Sequence, residues 1–195
     1  SGKVTINGEI AVLGSQAEEG DDVRINGRPL QEKKQQHVYI ALNKPVGITS
    51  TTESHIKGNI VDFVGHKERI FPIGRLDKDS EGLILLTNDG DIVNKILRSE
   101  GKHEKEYIVT VNRPVTPAFL KGMSSGVKIL GEMTLPCQVT RISERVFRII
   151  LTEGKNRQIR RMCSAFGYEV RRLKRIRIMN ILLGEQKVGT WRDLT

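Results

Sequence analysis

The chain has 195 residues, of which 37% are apolar and 28% charged, and this composition is typical of a folded, water-soluble protein. No apolar run approaches the length that crosses a bilayer, and no signal-peptide pattern opens the sequence, so we expect neither a membrane protein nor a secreted one. The two cysteines and four histidines have no metal-ligand spacing, which predicts a reduced, cytoplasmic protein without a metal site.

The net charge of +9 is confined to one part of the chain. Residues 141–177 carry 12 basic and 3 acidic side chains, whereas the remainder carries 20 of each. A solvated basic face is one interpretation. A basic block laid over regular apolar periodicity is more typical of a surface that binds a polyanion, and the expected polyanion is nucleic acid. Only 5% of the residues are aromatic, which argues against base stacking as the main mode of binding.

Residues 1–31 contain two strand-like runs, and each is followed by an Asn-Gly pair that predicts a tight hairpin turn: Asn7-Gly8 and Asn26-Gly27. We therefore predict a small β-rich module over residues 1–31. Residues 32–37 are polar and predict a linker to a second domain, which covers residues 38–195.

The second domain begins with a predicted strand at residues 38–42, which ends in the turn Asn43-Lys44-Pro45-Val46-Gly47. A polar surface loop follows over residues 49–58, and residues 59–65 are expected to form a short helix.

The most informative stretch is residues 71–88, an acid-rich loop that runs directly into an apolar strand at residues 83–86. Pro72 and Gly74 predict that it begins as a turn. Three carboxylates lie inside it: Asp77, Asp79 and Glu81. Carboxylates fixed at the edge of a core suit catalysis. An ordinary turn and a calcium loop are the alternatives, although the calcium pattern requires a closing Glu where this chain has Asn88.

Apolar periodicity and capping residues predict the remaining elements. Helices are expected at residues 89–97, 118–123 and 156–166, and strands at residues 105–111, 127–130, 137–142, 146–151 and 170–178. Because strands outnumber helices and do not alternate regularly with them, the predicted fold class is α+β, with a mixed and largely antiparallel sheet.

Several runs together resemble the motifs of one enzyme family. They are Asn43-Lys44-Pro45-Val46-Gly47, Gly74-Arg75-Leu76-Asp77 with Ser80, Gly82 and Leu83, Lys105-Glu106-Tyr107, residues 153–162 and residues 173–178. Their order and spacing over residues 38–195 are similar to those of the pseudouridine synthases, in the branch that modifies ribosomal RNA. Residues 1–31 resemble the second half of an S4-type RNA-binding domain. The helices that precede that half are missing, so we expect a trimmed chain.

The resemblance implies a catalytic role for three residues. Asp77 would be the nucleophile that helps to detach uracil from ribose, Lys155 would pair with Asp77, and Tyr107 would pack against the target base. It also implies RNA or substrate contacts for Arg75, Arg157, Gln158, Arg160, Arg161, Leu173 and Arg175. Among these, Arg75 would fill the gap that the flipped uridine leaves, and Leu173 would form part of an apolar wall.

Elementary chemistry agrees with this assignment. A carboxylate attacks only when it is ionised, and a neighbouring cation keeps it so in a pocket made for an uncharged base. Isomerising uridine breaks an N–C bond and makes a C–C bond without redox change, so no cofactor is expected. Periodicity alone favours a core position for Tyr107, and Lys155 could equally be an exposed turn lysine.

The expected partner is therefore RNA, bound by a monomer, with ribosomal RNA of the large subunit as the substrate and transfer RNA as the alternative. Two functions of other classes stay open. One is a non-catalytic RNA-binding protein, which would need no carboxylate beside its basic face. The other is an acid-dependent hydrolase that uses Asp77, Asp79 and Glu81 with a divalent metal.

Overall fold

A computed structural model describes residues 3–30, 36–99 and 102–194. The chain forms two compact units, Ser1–Gln36 and His37–Thr195. Residues 32–35 of the predicted linker lie outside the described residues. Within the described part of the chain, no helix is long and apolar enough to cross a membrane.

The first unit is a four-stranded antiparallel sheet in the order β2-β1-β3-β4, with β1 at Val4–Ile6, β2 at Glu9–Ile10, β3 at Val23–Ile25 and β4 at Arg28–Pro29. Both predicted Asn-Gly turns are confirmed. The φ angles are 51° and 87° at the first pair and 50° and 76° at the second. A two-residue hairpin turn requires such positive values at both positions, and Asn and Gly tolerate them best.

The second unit contains the remaining elements. The strands are β5 Tyr39–Lys44, β6 Phe71–Ile73, β7 Glu81–Thr87, β8 Lys105–Val111, β9 Lys128–Ile129, β10 Glu132–Met133, β11 Gln138–Ser143, β12 Val146–Leu151, β13 Val170–Ile178, β14 Ile181–Leu182 and β15 Trp191–Asp193. The helices are α1 Ile60–Val64, α2 Gly90–Arg98, α3 Pro117–Ser124 and α4 Gln158–Ala165.

One large sheet organises this unit, in the order β11-β12-β8-β13-β7-β5-β15, with β14 and β6 paired to β13 and β7. The pair β13–β7 is parallel and the other pairs are antiparallel. The predicted fold class, α+β with a mixed and largely antiparallel sheet, is confirmed. β9 and β10 form a separate two-stranded hairpin.

Three of the four predicted helix starts are also confirmed, and the fourth helix begins at Gln158 rather than at residue 156. The side chains of Asn59, Asp89 and Thr116 accept hydrogen bonds from backbone N–H groups of the first turns of α1, α2 and α3. Such caps satisfy donors that a helix leaves unpaired. Helix α3 buries Phe119 and Met123 in a core shared with β8, β12 and α4, which contributes Met162.

Two local predictions are wrong. Residues 71–73 form a strand rather than a turn, because they pair with Leu85, Leu86 and Thr87 of β7. Pro72 is tolerated there since β6 pairs with β7 alone. The strand predicted at residues 127–130 is reduced to Lys128–Ile129, because Leu130 and Gly131 adopt positive φ and turn the chain into β10.

At Gly82 the backbone of β13 packs closely against β7. A Cβ atom at this residue would lie 2.2 Å from the carbonyl oxygen of Arg175, and its φ is 109°. Both the clash and the dihedral angle require glycine. Backbone packing therefore requires the glycine at position 82 of the family-like run, residues 74–83.

We expect Gly82→Ala to lower the free energy of unfolding by about 3 kcal/mol or more, since it combines overpacking with a strained φ. Urea unfolding measures this. The matched control is Gly90→Ala at the start of α2, where an added Cβ meets nothing within 4 Å. This control should be neutral or stabilising by up to about 1 kcal/mol. Equal effects at the two glycines would contradict the packing argument.

Candidate active site

The acidic loop, residues 74–80, is fixed to the core through its own backbone. Leu76 is 6% exposed and packs in the cluster that contains Ile84 and Leu86. The hydroxyl of Ser50 donates to the carbonyl oxygen of Leu76 at 2.8 Å. The backbone N–H of Gly47 donates to the carbonyl oxygen of Lys78 at 2.7 Å. The loop therefore presents Asp77 from a rigid support.

Lys44 lies beneath this loop and is fully buried. Its Nζ donates to the carbonyl oxygens of Pro45 at 2.9 Å and Ile48 at 2.8 Å, with that of Lys78 at 3.5 Å. Burial lowers the pKa of Lys44 to about 8, while the nearby carboxylates of Asp77 and Asp79 oppose this shift. At neutral pH the ammonium group therefore places a positive charge beneath the acidic loop.

Arg175 is the second buried cation of the site, with 4% of its surface exposed. Its Nε donates to the carbonyl oxygen of Leu83 at 2.7 Å, and one terminal nitrogen lies 3.5 Å from that of Arg75. The guanidinium group, a predicted RNA contact, thus bonds the protein's own backbone in this structure. Arg175 lies two residues after the buried Leu173, so alternation along β13 places both side chains on the same face.

Asp77 lies opposite Arg157, with an Oδ–Nη distance of 3.6 Å and about 37% of the carboxylate side chain exposed. Arg157 also forms a two-point contact with Asp79, at 2.9 and 2.8 Å. Arg160 donates to the backbone oxygen of Asp79 at 3.0 Å and to Ser80 Oγ at 3.2 Å. The two arginines thus join α4 to the acidic loop, and the hydrogen bond from Arg157 lowers the pKa of Asp79.

The predicted pairing of Lys155 with Asp77 is wrong. Lys155 Nζ lies 2.8 Å from Glu132 Oε2 and 3.8 Å from Glu153 Oε2. The hydrogen bond to Glu132 raises the pKa of Lys155. The physical reason lies in the backbone: Arg157 adopts φ 50° immediately before α4, so the chain changes direction within two residues of Lys155. Lys155 then reaches the β9–β10 hairpin, and Arg157 reaches the acidic loop.

Gln158, a predicted RNA contact, is 4% exposed and bonds groups of the protein itself. Its Oε1 accepts from the backbone N–H of Lys155 at 3.0 Å, and its Nε2 donates to Glu153 Oε1 at 2.8 Å. Gln158 therefore stabilises the turn before α4. The sequence alone does not identify Arg157 as the partner of Asp77. Its place inside the motif was visible in the sequence, but the direction of its side chain was not.

The structure places the other predicted residues on or beside the large sheet. Tyr107 is half-buried in β8, directly opposite Arg175 of β13. Leu173 is 6% exposed and belongs to the core that contains Val109. Arg75 is exposed and lies two residues before Asp77, while Arg161 is half-buried on α4.

The three acids of residues 74–81 do not converge on a common point. Glu81 pairs with Arg172, Asp79 with Arg157 and Arg160, and Asp77 with Arg157. In the described ranges, no group of three His, Cys, Asp or Glu side chains is placed to hold a metal ion. The geometry around Asp77 is that of a carboxylate facing a cation at a partly open surface.

We predict a pH effect on stability from Lys44. Its pKa falls from 10.5 to about 8 on folding, so the unfolded chain binds more protons between pH 8 and 10.5. The free energy of unfolding should therefore rise with pH across this window, by an amount on the order of 2 kcal/mol. Urea titrations of the wild type and Lys44→Met measure it, and the variant should lack the rise. Lys78→Met, an exposed lysine in the same loop, should retain it. A parallel pH dependence in the wild type and Lys44→Met would contradict the assignment.

Comparison with known proteins agrees with this geometry. A family model described as RNA pseudouridylate synthase matches residues 38–165. The dual-specificity RNA pseudouridine synthase RluF of Escherichia coli (strain K12) is 57% identical over 195 residues, which are 100% of this chain and 67% of the relative. The ribosomal large subunit pseudouridine synthase B of Bacillus subtilis (strain 168) is 34% identical over 204 residues, covering 100% of this chain and 82% of the relative.

A solved structure supports the same relationship. The crystal structure of a pseudouridylate synthase matches with a TM-score of 0.75 and 30% identity, over 99% of this chain and 85% of that one. The chain therefore belongs to the RNA pseudouridylate synthase family and is an isomerase that converts uridine in RNA to pseudouridine.

Proposed function

We propose that the protein isomerises a specific uridine of large-subunit (23S) ribosomal RNA, with Asp77 as the nucleophile acting on a flipped-out base. The observation that carries this proposal is the position of the Asp77 carboxylate, half-exposed on a rigid loop and 3.6 Å from a guanidinium nitrogen of Arg157. The name of the Bacillus subtilis relative, a ribosomal large subunit enzyme, supports the choice of RNA.

The two buried cations and Arg157 supply the electrostatics that the reaction needs. The reaction uses Asp77 as an anion, and an uncharged base that covers the carboxylate removes water that stabilises this charge. The positive charges of Lys44 beneath the loop and Arg157 beside it replace part of that stabilisation. The carboxylate then assists cleavage of the N–C glycosidic bond, and the released base rebonds to the ribose through carbon. That carbon loses its proton, and the freed nitrogen gains one. Substrate and product are isomers, so the steps balance without a further reactant.

The target base must leave its stack before it reaches Asp77. We infer that Tyr107 packs against the flipped base and that Leu173 forms part of the wall behind it. Arg75 is exposed two residues from the nucleophile, so it is placed to enter the gap in the RNA stack. Phosphate contacts then fall to the exposed or half-buried arginines of the basic segment, Arg157, Arg160 and Arg161.

A second RNA substrate is favoured by one observation, the words "dual-specificity" in the name of the Escherichia coli relative. We propose transfer RNA as that second class. Sequencing after carbodiimide treatment, of RNA from cells with and without the gene, tests both substrates, since each modified uridine gives a stop that disappears with the gene.

The catalytic assignment predicts that Asp77→Asn reduces single-turnover pseudouridine formation by at least about 10³-fold, because the amide cannot act as a nucleophile. RNA affinity, measured by filter binding, should change by less than about threefold. Retained turnover would contradict the assignment. If the wild type bound RNA but formed no pseudouridine, the result would instead favour a non-catalytic RNA-binding protein.

The corrected ion pair predicts a difference between two neighbouring cations. Arg157→Met should slow single turnover at saturating enzyme by about tenfold to a hundredfold, because Asp77 loses its charged partner. Lys155→Met should leave this rate close to that of the wild type. A slowed rate in Lys155→Met alone would support the pairing of Lys155 with Asp77.

A further inference from the structure

A cleft lies between the β9–β10 hairpin and α4, beside the arginines that hold the acidic loop. Its volume is about 460 Å³, within the range of ~300–1,000 Å³ typical of small-molecule sites. Seven residues line it: Lys128, Ile129, Leu130, Arg157, Arg160, Arg161 and Ser164. Four of these are cations and none is acidic, so the cleft is suited to an anion.

The cations of the cleft divide into two pairs. Arg157 and Arg160 both pair with Asp79, Arg157 also faces Asp77, and the two arginines belong to the acidic-loop site. Arg161 donates only to the backbone and side-chain oxygens of Asn156, at 3.0 and 3.1 Å. Arg161 and Lys128 have no acidic partner within residues 3–30, 36–99 and 102–194, so their charges are available to a phosphate group.

Leu130 at the tip of the hairpin gives the cleft an apolar side. The residue is 58% exposed and adopts a φ of 49°. This position of a two-residue turn favours Asn or Gly, and a leucine there gains little from burial. Outliers of this kind cluster at functional sites. An exposed apolar side chain beside unpaired cations matches a nucleotide, which has an apolar base face next to a phosphate.

Lys155 and Glu153, which precede α4, hold the β9–β10 hairpin in place. Lys155 bonds Glu132 of β10, and Glu153 Oε1 accepts from the backbone N–H of Leu135 at 2.8 Å. The base of the hairpin is closed by Thr134, whose Oγ1 accepts from the N–H of Val127 at 2.8 Å. The tip is thus rigidly positioned over α4.

We infer that this cleft binds a nucleotide of the RNA substrate adjacent to the target uridine, with Leu130 against the base and Lys128 and Arg161 on the phosphate. Lys155 is a positioning residue for this subsite, because it holds Glu132. The inference rests on the proposed function, since it takes RNA as the ligand and places its target at Asp77.

The test uses Leu130→Asn, because asparagine suits the backbone of the turn and removes the apolar contact. The probe is a short fluorescent RNA hairpin that carries the uridine identified by carbodiimide sequencing. We expect affinity to fall about fivefold to twentyfold, with an unchanged or higher melting temperature. The control is Ile142→Asn, which changes a side chain that is 54% exposed near the end of β11, and affinity should not change.

Abasic substitutions identify the contacted nucleotide. One abasic position next to the target should weaken binding to the wild type and have no further effect on Leu130→Asn, since both changes remove the same contact. Lys128→Met should lower the log–log salt slope of binding by about one unit. Full affinity of Leu130→Asn, or a lowered melting temperature that shows a structural role for Leu130, would overturn the subsite. RNA affinity of Leu130→Asn tests the subsite, and turnover of Asp77→Asn tests the proposed function. Failure of one is therefore distinguishable from failure of the other.

Discussion

The geometry of the site depends on one constraint, the attachment of the acidic loop to two buried cations and a buried hydroxyl. Carbonyl oxygens of residues 74–80 accept hydrogen bonds from Ser50 and Lys44, and Arg175 lies within reach of another. Each donor is buried, so each would be costly to leave unpaired. The loop and the sheet therefore satisfy one another's polar groups, and Asp77 gains a fixed position without belonging to a helix or strand.

The same arrangement gives the nucleophile its electrostatic environment. Lys44 is needed beneath the loop for hydrogen bonding, and its charge also lies close to Asp77. Arg157 holds Asp79 by two hydrogen bonds and thereby keeps a guanidinium nitrogen beside Asp77. Structural and catalytic roles are thus combined in the same side chains, and a substitution at either cation is expected to affect both. The close packing of β13 at Gly82 brings Arg175 into this group.

The basic segment, residues 141–177, has three distinct uses in the folded protein. Arg175 and Arg172 bond groups of the sheet, Arg157 and Arg160 hold the acidic loop, and Lys155 holds the hairpin through Glu132. Arg161 has no acidic partner in the described part of the chain. A count of charges therefore overstates the surface that is available to RNA. Arg161 on α4 lies beside Lys128 of the β9–β10 hairpin, close to the arginines that hold the acidic loop.

The sequence by itself determined the local features and the family. Capping at Asn59, Asp89 and Thr116, the Asn-Gly turns and the motif around Asp77 depend on neighbouring residues, so they could be predicted without a structure. Which cation meets which acid could not, because it depends on backbone direction at single residues. The positive φ of Arg157 separates it from Lys155, so the two cations reach different acids. Only the tertiary structure therefore decided that Asp77 faces Arg157, since charge and spacing along the chain are nearly the same for both candidates.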